Sequence, residues 1–307
     1  MLLAGNGSLV GCNLFPAGHR ATARSGASAN VCGPIHGGNF TGRMVVDNLR
    51  RSYLIHVPPH LPQDRRHPLV FVFHGPQSSG KEIARYSNMS ALADQHHFVT
   101  VYPNAWRREA SDFATWIAGS TVPVDLDFVS RLINGLSRRL CVDRDRIYAA
   151  GFSSGANMAF GLACQFGDRI AAVGAVAGFY ALEDAKDCHP EHWTSVIAFH
   201  GTADPRIPYL GTVAVLSTAG WMRRWVRRAR CKHDPTRVWG RKDVIVMDHS
   251  GCRGNSEVRM YTIWGGGHTW PGSPVHWPPD YGRVTHTVRA SEAMWIFFEA
   301  HPLRLHR

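Results

Sequence analysis

The sequence predicts an α/β fold built on a mostly parallel, doubly wound sheet with helices on both faces. From residue 50 onward, short β-rich runs alternate with longer segments of helical spacing. The runs are nearly continuous in apolar residues rather than alternating, as strands covered on both faces must be. With 307 residues and 44% hydrophobic content the chain is also long enough for a large core.

Taken in order, strands are expected at "RSYLIHV" (51–57), "PLVFVFHG" (68–75), "FVTVYP" (98–103), "RIYAAG" (146–151), "AAVGAVAG" (171–178), "SVIAFHG" (195–201) and "VRMYTIWG" (258–265). Helical spacing marks "DLDFVSRLINGLSRRL" (125–140), "GANMAFGLACQFG" (155–167) and a closing helix "SEAMWIFFEAHP" (291–302). No internal repeat or proline-rich linker divides the chain after residue 40, so residues 36–307 read as a single catalytic domain. Within it, the stretch around 205–257 lacks a clean pattern and is expected to be an irregular insertion near the mouth of the site. Residues 1–35, rich in Gly, Ala, Ser and Asn, read as a leader or flexible arm. They carry a small-residue site before Cys12 but no positive segment or long apolar stretch of a signal peptide.

No run approaches eighteen apolar residues, which excludes a transmembrane helix. The net charge of +11 fits a polyanionic partner or a basic solvated surface. Arginine is concentrated in "RRWVRRAR" (223–230), where Trp221 and Trp225 read as the buried edge of an amphipathic helix. No zinc-finger or RRM-like signature accompanies it, so no specific nucleic-acid partner is expected. Seven cysteines contain no C-x-x-C pair, which points away from zinc or redox chemistry and toward disulfides in an oxidising compartment. If a strand over 146–151 rises and a helix over 153–164 returns, each leg covers roughly 17 Å, so Cys141 and Cys164 finish near one another and a bridge between them is expected.

The chemistry is concentrated in three places. In "RIYAAGFSSGANMAF" a strand ends at Gly151 and a helix begins at once, with Ser153 at the centre of G-x-S-x-G. Only Ser153 has glycines at both two-residue offsets, Gly151 and Gly155; Ser154 has Phe152 and Ala156 there. A serine hydroxyl needs a histidine to take its proton and a carboxylate to orient that histidine. Asp204 in "SVIAFHGTADPRIPY" and His268 in "VRMYTIWGGGHTWPG" follow strands in the chain order Ser, Asp, His that doubly wound hydrolases use. The oxyanion is expected to be held by Ser154 N–H and, because Pro76 has no N–H, by Gln77 through its N–H or side-chain amide. Trp270, two residues past the histidine, is a candidate for stacking on substrate or for packing beneath the loop. The eighteen histidines form no H-E-x-x-H or comparable set, so neither metal nor organic cofactor is expected.

The segments "RSYLIHVPPHL", "PLVFVFHG", "VDRDRIYAAGFSSGANMAF", "FHGTADPRIPY", "GGGHTWPG" and "ASEAMWIFFEAHP" resemble the secreted poly(3-hydroxybutyrate) depolymerase-like and feruloyl esterase-like family of α/β-hydrolases. The resemblance spans about residues 40–302. It implies an α/β-hydrolase fold, serine esterase activity with Ser153, Asp204 and His268 as nucleophile, acid and base, and a disulfide between Cys231 and Cys252. It implies an extracellular enzyme. Ala156, where the elbow often has another glycine, and Pro76 depart from the family pattern and bear on rate and oxyanion geometry.

The expected activity is ester hydrolysis through an acyl-enzyme, on feruloyl or acetyl esters of plant polysaccharides. Poly(3-hydroxybutyrate) or another polyester is the alternative substrate. A reading from another class is a catalytically weak cell-surface protein that binds polyanions through the helix at 221–230.

Overall fold

The computed structural model describes residues 35–106, 115–116, 124–178, 188, 193–232 and 234–303. The leader expected over 1–35 lies outside these, apart from Ile35.

Ten strands form one sheet: β1 (Gly38–Val46), β2 (Leu49–Val57), β3 (His67–Phe73), β4 (Val99–Pro103), β5 (Val142–Phe152), β6 (Ala172–Val176), β7 (Ser195–Gly201), β8 (Arg237–Arg241), β9 (Val244–His249) and β10 (Val258–Ile263). Their order across the sheet is β1-β2-β4-β3-β5-β6-β7-β10-β9-β8. The six central strands from β4 to β10 run parallel, and an antiparallel pair closes each side. Parallel neighbours need crossovers, and the helices supply them.

Those helices are α1 (Gly80–Ser87), α2 (Met89–His96), α3 (Val124–Arg139), α4 (Ser154–Gln165), α5 (Thr218–Arg228) and α6 (Ala290–Ala300). Successive residues of β3 show how both faces are used. Leu69, Phe71 and Phe73 join the core under α3, α4 and α5, while Val70 and Val72 join the core under α1, α2 and α6. Every residue of β3, β4, β6 and β7 is buried, which explains their unbroken apolar runs.

The stretch 205–257 differs from the expected irregular insertion: it contains α5 and the β8–β9 hairpin, which extends the sheet by two strands. Edge strand β8 is mostly exposed, so it lacks the buried periodicity that reveals a strand. On α5, Trp221, Met222, Trp225 and Val226 are buried, as its amphipathic spacing predicts.

The expected Cys141–Cys164 bridge is not formed. Cys164 pairs with Cys188, at a Cα separation of 5.0 Å, and Cys141 is held in a different disulfide. Cys141 closes the turn from α3 into β5 with φ 50°, whereas Cys164 lies in the last turn of α4 and meets the segment that follows β6. Equal travel along strand and helix therefore did not bring the two thiols together. The Cys231–Cys252 bridge is present, joining the end of α5 to the end of β9. Among the described residues no helix is long and apolar enough to cross a membrane.

Candidate active site

The site lies where β5, β7 and β10 end at the carboxyl edge of the sheet. Ser153 sits between β5 and α4 at φ 55° and ψ −119°, a backbone region costly for any residue with a Cβ. The flanking glycines are required by contact. A Cβ on Gly151 would lie 2.0 Å from the Gly155 carbonyl oxygen, and one on Gly155 would lie 2.2 Å from that of Phe73. The Ser153 N–H donates to the Val176 carbonyl at 2.9 Å, tying the elbow to the end of β6. Ser153 is 5% exposed. Ser154 opens α4, so its N–H belongs to the first turn, where no intrahelical acceptor exists.

Asp204 and His268 meet directly: His268 Nδ1 donates to Asp204 Oδ2 at 2.8 Å. The other oxygen, Oδ1, accepts the N–H groups of Arg206 at 2.9 Å and Ile207 at 2.8 Å, which fixes the carboxylate plane. Burial alone would raise the Asp204 carboxyl. The hydrogen bond and charge of His268 and the Ile207 N–H outweigh it, and the group is held below the ordinary carboxylate range. With Nδ1 donating, the lone pair on His268 Nε2 is free to accept a proton.

The three glycines before the histidine serve two needs. Gly265 takes φ 62° in the turn, while a Cβ on Gly267 would lie 2.2 Å from the Tyr281 carbonyl oxygen. His268 N–H donates to that carbonyl at 2.7 Å and Gly267 N–H to that of Arg283 at 2.9 Å, so residues 281–283 hold the histidine loop.

The 74–80 loop also lies at this edge, since a Cβ on Gly75 would be 3.5 Å from that of Ser153. Both of its ends are pinned to the turn after β4. His74 Nε2 accepts the Ala105 N–H at 3.1 Å, which leaves the proton on Nδ1 to donate to the Gly75 carbonyl at 2.6 Å. At the far end, Gly80 N–H donates to Asn104 Oδ1 at 2.7 Å. Between them Gln77 is exposed and takes φ 54°. From sequence, His74 reads only as a strand-end histidine ahead of the nucleophile and Asn104 carries no signal, because each meets its partner in a segment far along the chain.

Trp270 is not a stacking surface. It is 1% exposed, and its Nε1 donates to Ser291 Oγ at 3.1 Å, so it packs beneath the histidine loop. The aromatic rings beside the site are others. The Phe152 ring lies 4.7 Å from that of His268 and 5.2 Å from that of Trp277, and Tyr281 lies 6.0 Å from His268. Trp277 lines a cleft of about 530 Å3 with Val275, Pro279, Val284 and His286. Among the described residues no group of His, Cys, Asp and Glu is arranged to hold a metal ion.

Residues 51–189 match the family described as Esterase PHB depolymerase. NocK of Nocardia uniformis subsp. tsuyamanensis, which carries the name of an esterase, is 30% identical over 279 residues, covering 80% of this chain and 78% of its own. Feruloyl esterase B of Piromyces equi is 25% identical over 240 residues, 74% of this chain and 44% of that protein. The acetyl xylan esterase from Aspergillus awamori shares the fold, with a TM-score of 0.60 at 15% identity over 77% of this chain and 95% of that one. A strand-ordered sheet of this kind, an elbow serine at its carboxyl edge and these likenesses have one common meaning: the chain belongs to the esterase PHB depolymerase family of α/β-hydrolases, and it is a serine carboxylic ester hydrolase.

Proposed function

We propose that Ser153, His268 and Asp204 act as nucleophile, general base and orienting acid in the hydrolysis of feruloyl or acetyl esters carried on plant polysaccharides. The observation that carries this reading is the 2.8 Å hydrogen bond from His268 Nδ1 to Asp204 Oδ2, made beside an elbow that forces Ser153 to φ 55°. His268 Nε2 takes the hydroxyl proton as Ser153 Oγ attacks the ester carbonyl, and the carbonyl oxygen gains the negative charge. Ser154 N–H and a donor of Gln77 hold that oxyanion, each such donor being worth about 3 kcal/mol. His268 then gives its proton to the leaving alcohol, and water repeats the sequence in reverse to release the acid. Asp204 keeps its charge throughout and stabilises the imidazolium.

The half-buried Tyr281, packed on Trp277 where Trp277 lines the cleft, supports an aromatic acyl substrate, whose ring gains from offset or edge contacts with it. The disulfides Cys164–Cys188 and Cys231–Cys252 support an extracellular setting, where such bonds persist. Hydrolysis of a solid polyester is a second reading, favoured by apolar side chains exposed on loops after β7 and β10: Leu210 at 85%, Val213 at 99% and Trp264 at 58%.

The test begins with p-nitrophenyl acetate and methyl ferulate. Ser153→Ala and His268→Ala are each expected to lower kcat by about 10⁴ or more, as removal of one member of a unit does. Retention of wild-type turnover by either variant removes that residue from the mechanism. Methyl ferulate, acetylated xylan and a poly(3-hydroxybutyrate) suspension assayed side by side separate the two substrate readings.

A further inference from the structure

Residues 218–253 carry eight arginines and two lysines against three aspartates, and two of the arginines are held together by a covalent bond that is not their own. Arg230 is the chain neighbour of Cys231, and Arg253 of Cys252, and the Cα atoms of this disulfide are 4.0 Å apart. The Arg253 N–H also donates to the Ala229 carbonyl at 2.8 Å. Both guanidinium groups lie over the ring of Trp193, 5.9 Å and 5.2 Å from its centroid. Both arginines are exposed and Trp193 is half-buried.

Two like charges fixed side by side repel unless something neutralises them. Among the described residues, neither arginine has an ion pair or a side-chain hydrogen bond. Glu257, the nearest carboxylate in sequence to Arg253, is taken by Arg259 at 2.5 Å and His301 at 3.5 Å. The ring of Trp193 attracts both cations, and the negative end of α5 offsets part of the repulsion. These contacts hold the pair in place and leave its charge facing solvent.

The geometry points to Arg230 and Arg253 as a binding site for the carboxylate groups of an acidic polysaccharide, one bearing uronic acid residues. Each guanidinium presents a planar fork that matches a carboxylate, and Trp193 pre-orients both forks, which lowers the entropy lost when an anion arrives. Trp193 is covered by the two guanidinium groups, and Gly254 approaches it so closely that a Cβ there would lie 2.9 Å from the ring. It therefore offers no open face for a nucleic-acid base. The choice of a polysaccharide among polyanions rests on the polysaccharide-ester reading above.

The site stands apart from the ester chemistry. Trp193 precedes β7 and Arg253 precedes β10, whereas Asp204 and His268 follow those same strands. A strand of seven residues separates the two ends by roughly 20 Å. The arginine pair thus holds the polymer and does not select the ester.

Affinity electrophoresis of the full chain through gels containing glucuronoxylan tests the assignment, with neutral arabinoxylan and a single-stranded oligonucleotide as comparison probes. Wild type is expected to be retarded by glucuronoxylan and not by arabinoxylan. Replacing both residues, Arg230→Ala with Arg253→Ala, should weaken the interaction about tenfold or more, as loss of hydrogen bonds to charged groups does. The charge-matched variant Arg138→Ala with Arg139→Ala, on exposed residues of α3, should leave it unchanged. Equal retardation of all variants, equal loss in both double variants, or stronger retention by the oligonucleotide overturns the proposal. Turnover of p-nitrophenyl acetate should be the same in every variant, which verifies folding. Its absence from wild type would count against the proposed catalysis and leave the binding result standing by itself.

Discussion

His200 Nε2 lies 3.5 Å from Asp204 Oδ2, the same oxygen that accepts the His268 Nδ1 hydrogen bond, and donates to the Ile207 carbonyl at 2.9 Å. Asp204 is therefore held from two sides. His200 closes the turn whose N–H groups, at Arg206 and Ile207, grip Oδ1. Burial pushes the His200 imidazole below its ordinary pKa, so it stays neutral and does not draw the carboxylate away from His268 as a cation would.

This makes His200 a positioning residue. His200→Ala is expected to lower kcat by about a hundredfold with KM little changed, because a small displacement of a catalytic group has that effect. His200→Gln, whose amide can still donate to the Ile207 carbonyl, should recover most of the rate. Equal losses in both variants would show that only the packing volume matters. Steady-state kinetics on methyl ferulate gives the answer.

The same burial makes stability depend on pH. A histidine whose folded pKa is lowered binds fewer protons when folded than when unfolded, so stability rises with pH through that window. His200 and His67, both lowered mainly by burial, contribute fully above about pH 6.5 and their contribution is lost as pH falls below it. Asp204, held low, adds its loss only below about pH 4, the unfolded carboxyl value. Urea midpoints measured from pH 4 to 8 should fall on acidification from about pH 6.5, and His200→Gln should flatten that decline. An unchanged slope in the variant would exclude His200 as a source.

Asp248 on β9, beside Glu257 just before β10, behaves in the opposite sense. Arg259 serves both Asp248 at 2.8 Å and Glu257 at 2.5 Å. Burial, with the neighbouring Glu257, pushes Asp248 up to about 6. A raised folded pKa means that Asp248 favours the fold while protonated and that this benefit is lost as pH rises through 6. Asp248→Asn is expected to stabilise the protein by about 1 kcal/mol at pH 8 and to have little effect below about pH 4. Thermal unfolding at the two pH values would reveal the crossover or its absence.

The parts of the site legible in the sequence were those set by local sterics or by strand order. Gly151 and Gly155 announce the elbow because each would collide with nearby backbone if it carried a side chain. Asp204 follows the fully buried β7 and His268 follows the largely buried β10, and strands of that kind reveal themselves as apolar or β-rich runs. What stayed hidden was contact between distant segments. Phe152 meets Trp277 across more than a hundred residues, and nothing near Trp277 marks it as a neighbour of the elbow. His200 was visible only as the end of a strand, since its role depends on the Ile207 carbonyl returning to it. Edge strand β8 escaped notice because most of its residues face water, while β1 buries only alternate positions, Gly42, Met44 and Val46, one of them a glycine, so neither shows an apolar run. Cys188 was missed as the partner of Cys164 because β6 stands between them in the chain, and sequence spacing alone does not give the return to α4.

The φ of 55° at Ser153 places reactivity and foldability in opposition at one position. Glycine would occupy that backbone without penalty, so Ser153→Gly is expected to resist denaturant better than wild type by about 1 kcal/mol while losing its chemistry. Guanidinium midpoints for wild type, Ser153→Ala and Ser153→Gly would expose this trade, with only the glycine variant gaining. A screen for hardier variants that ignored turnover would therefore drift toward an inert protein.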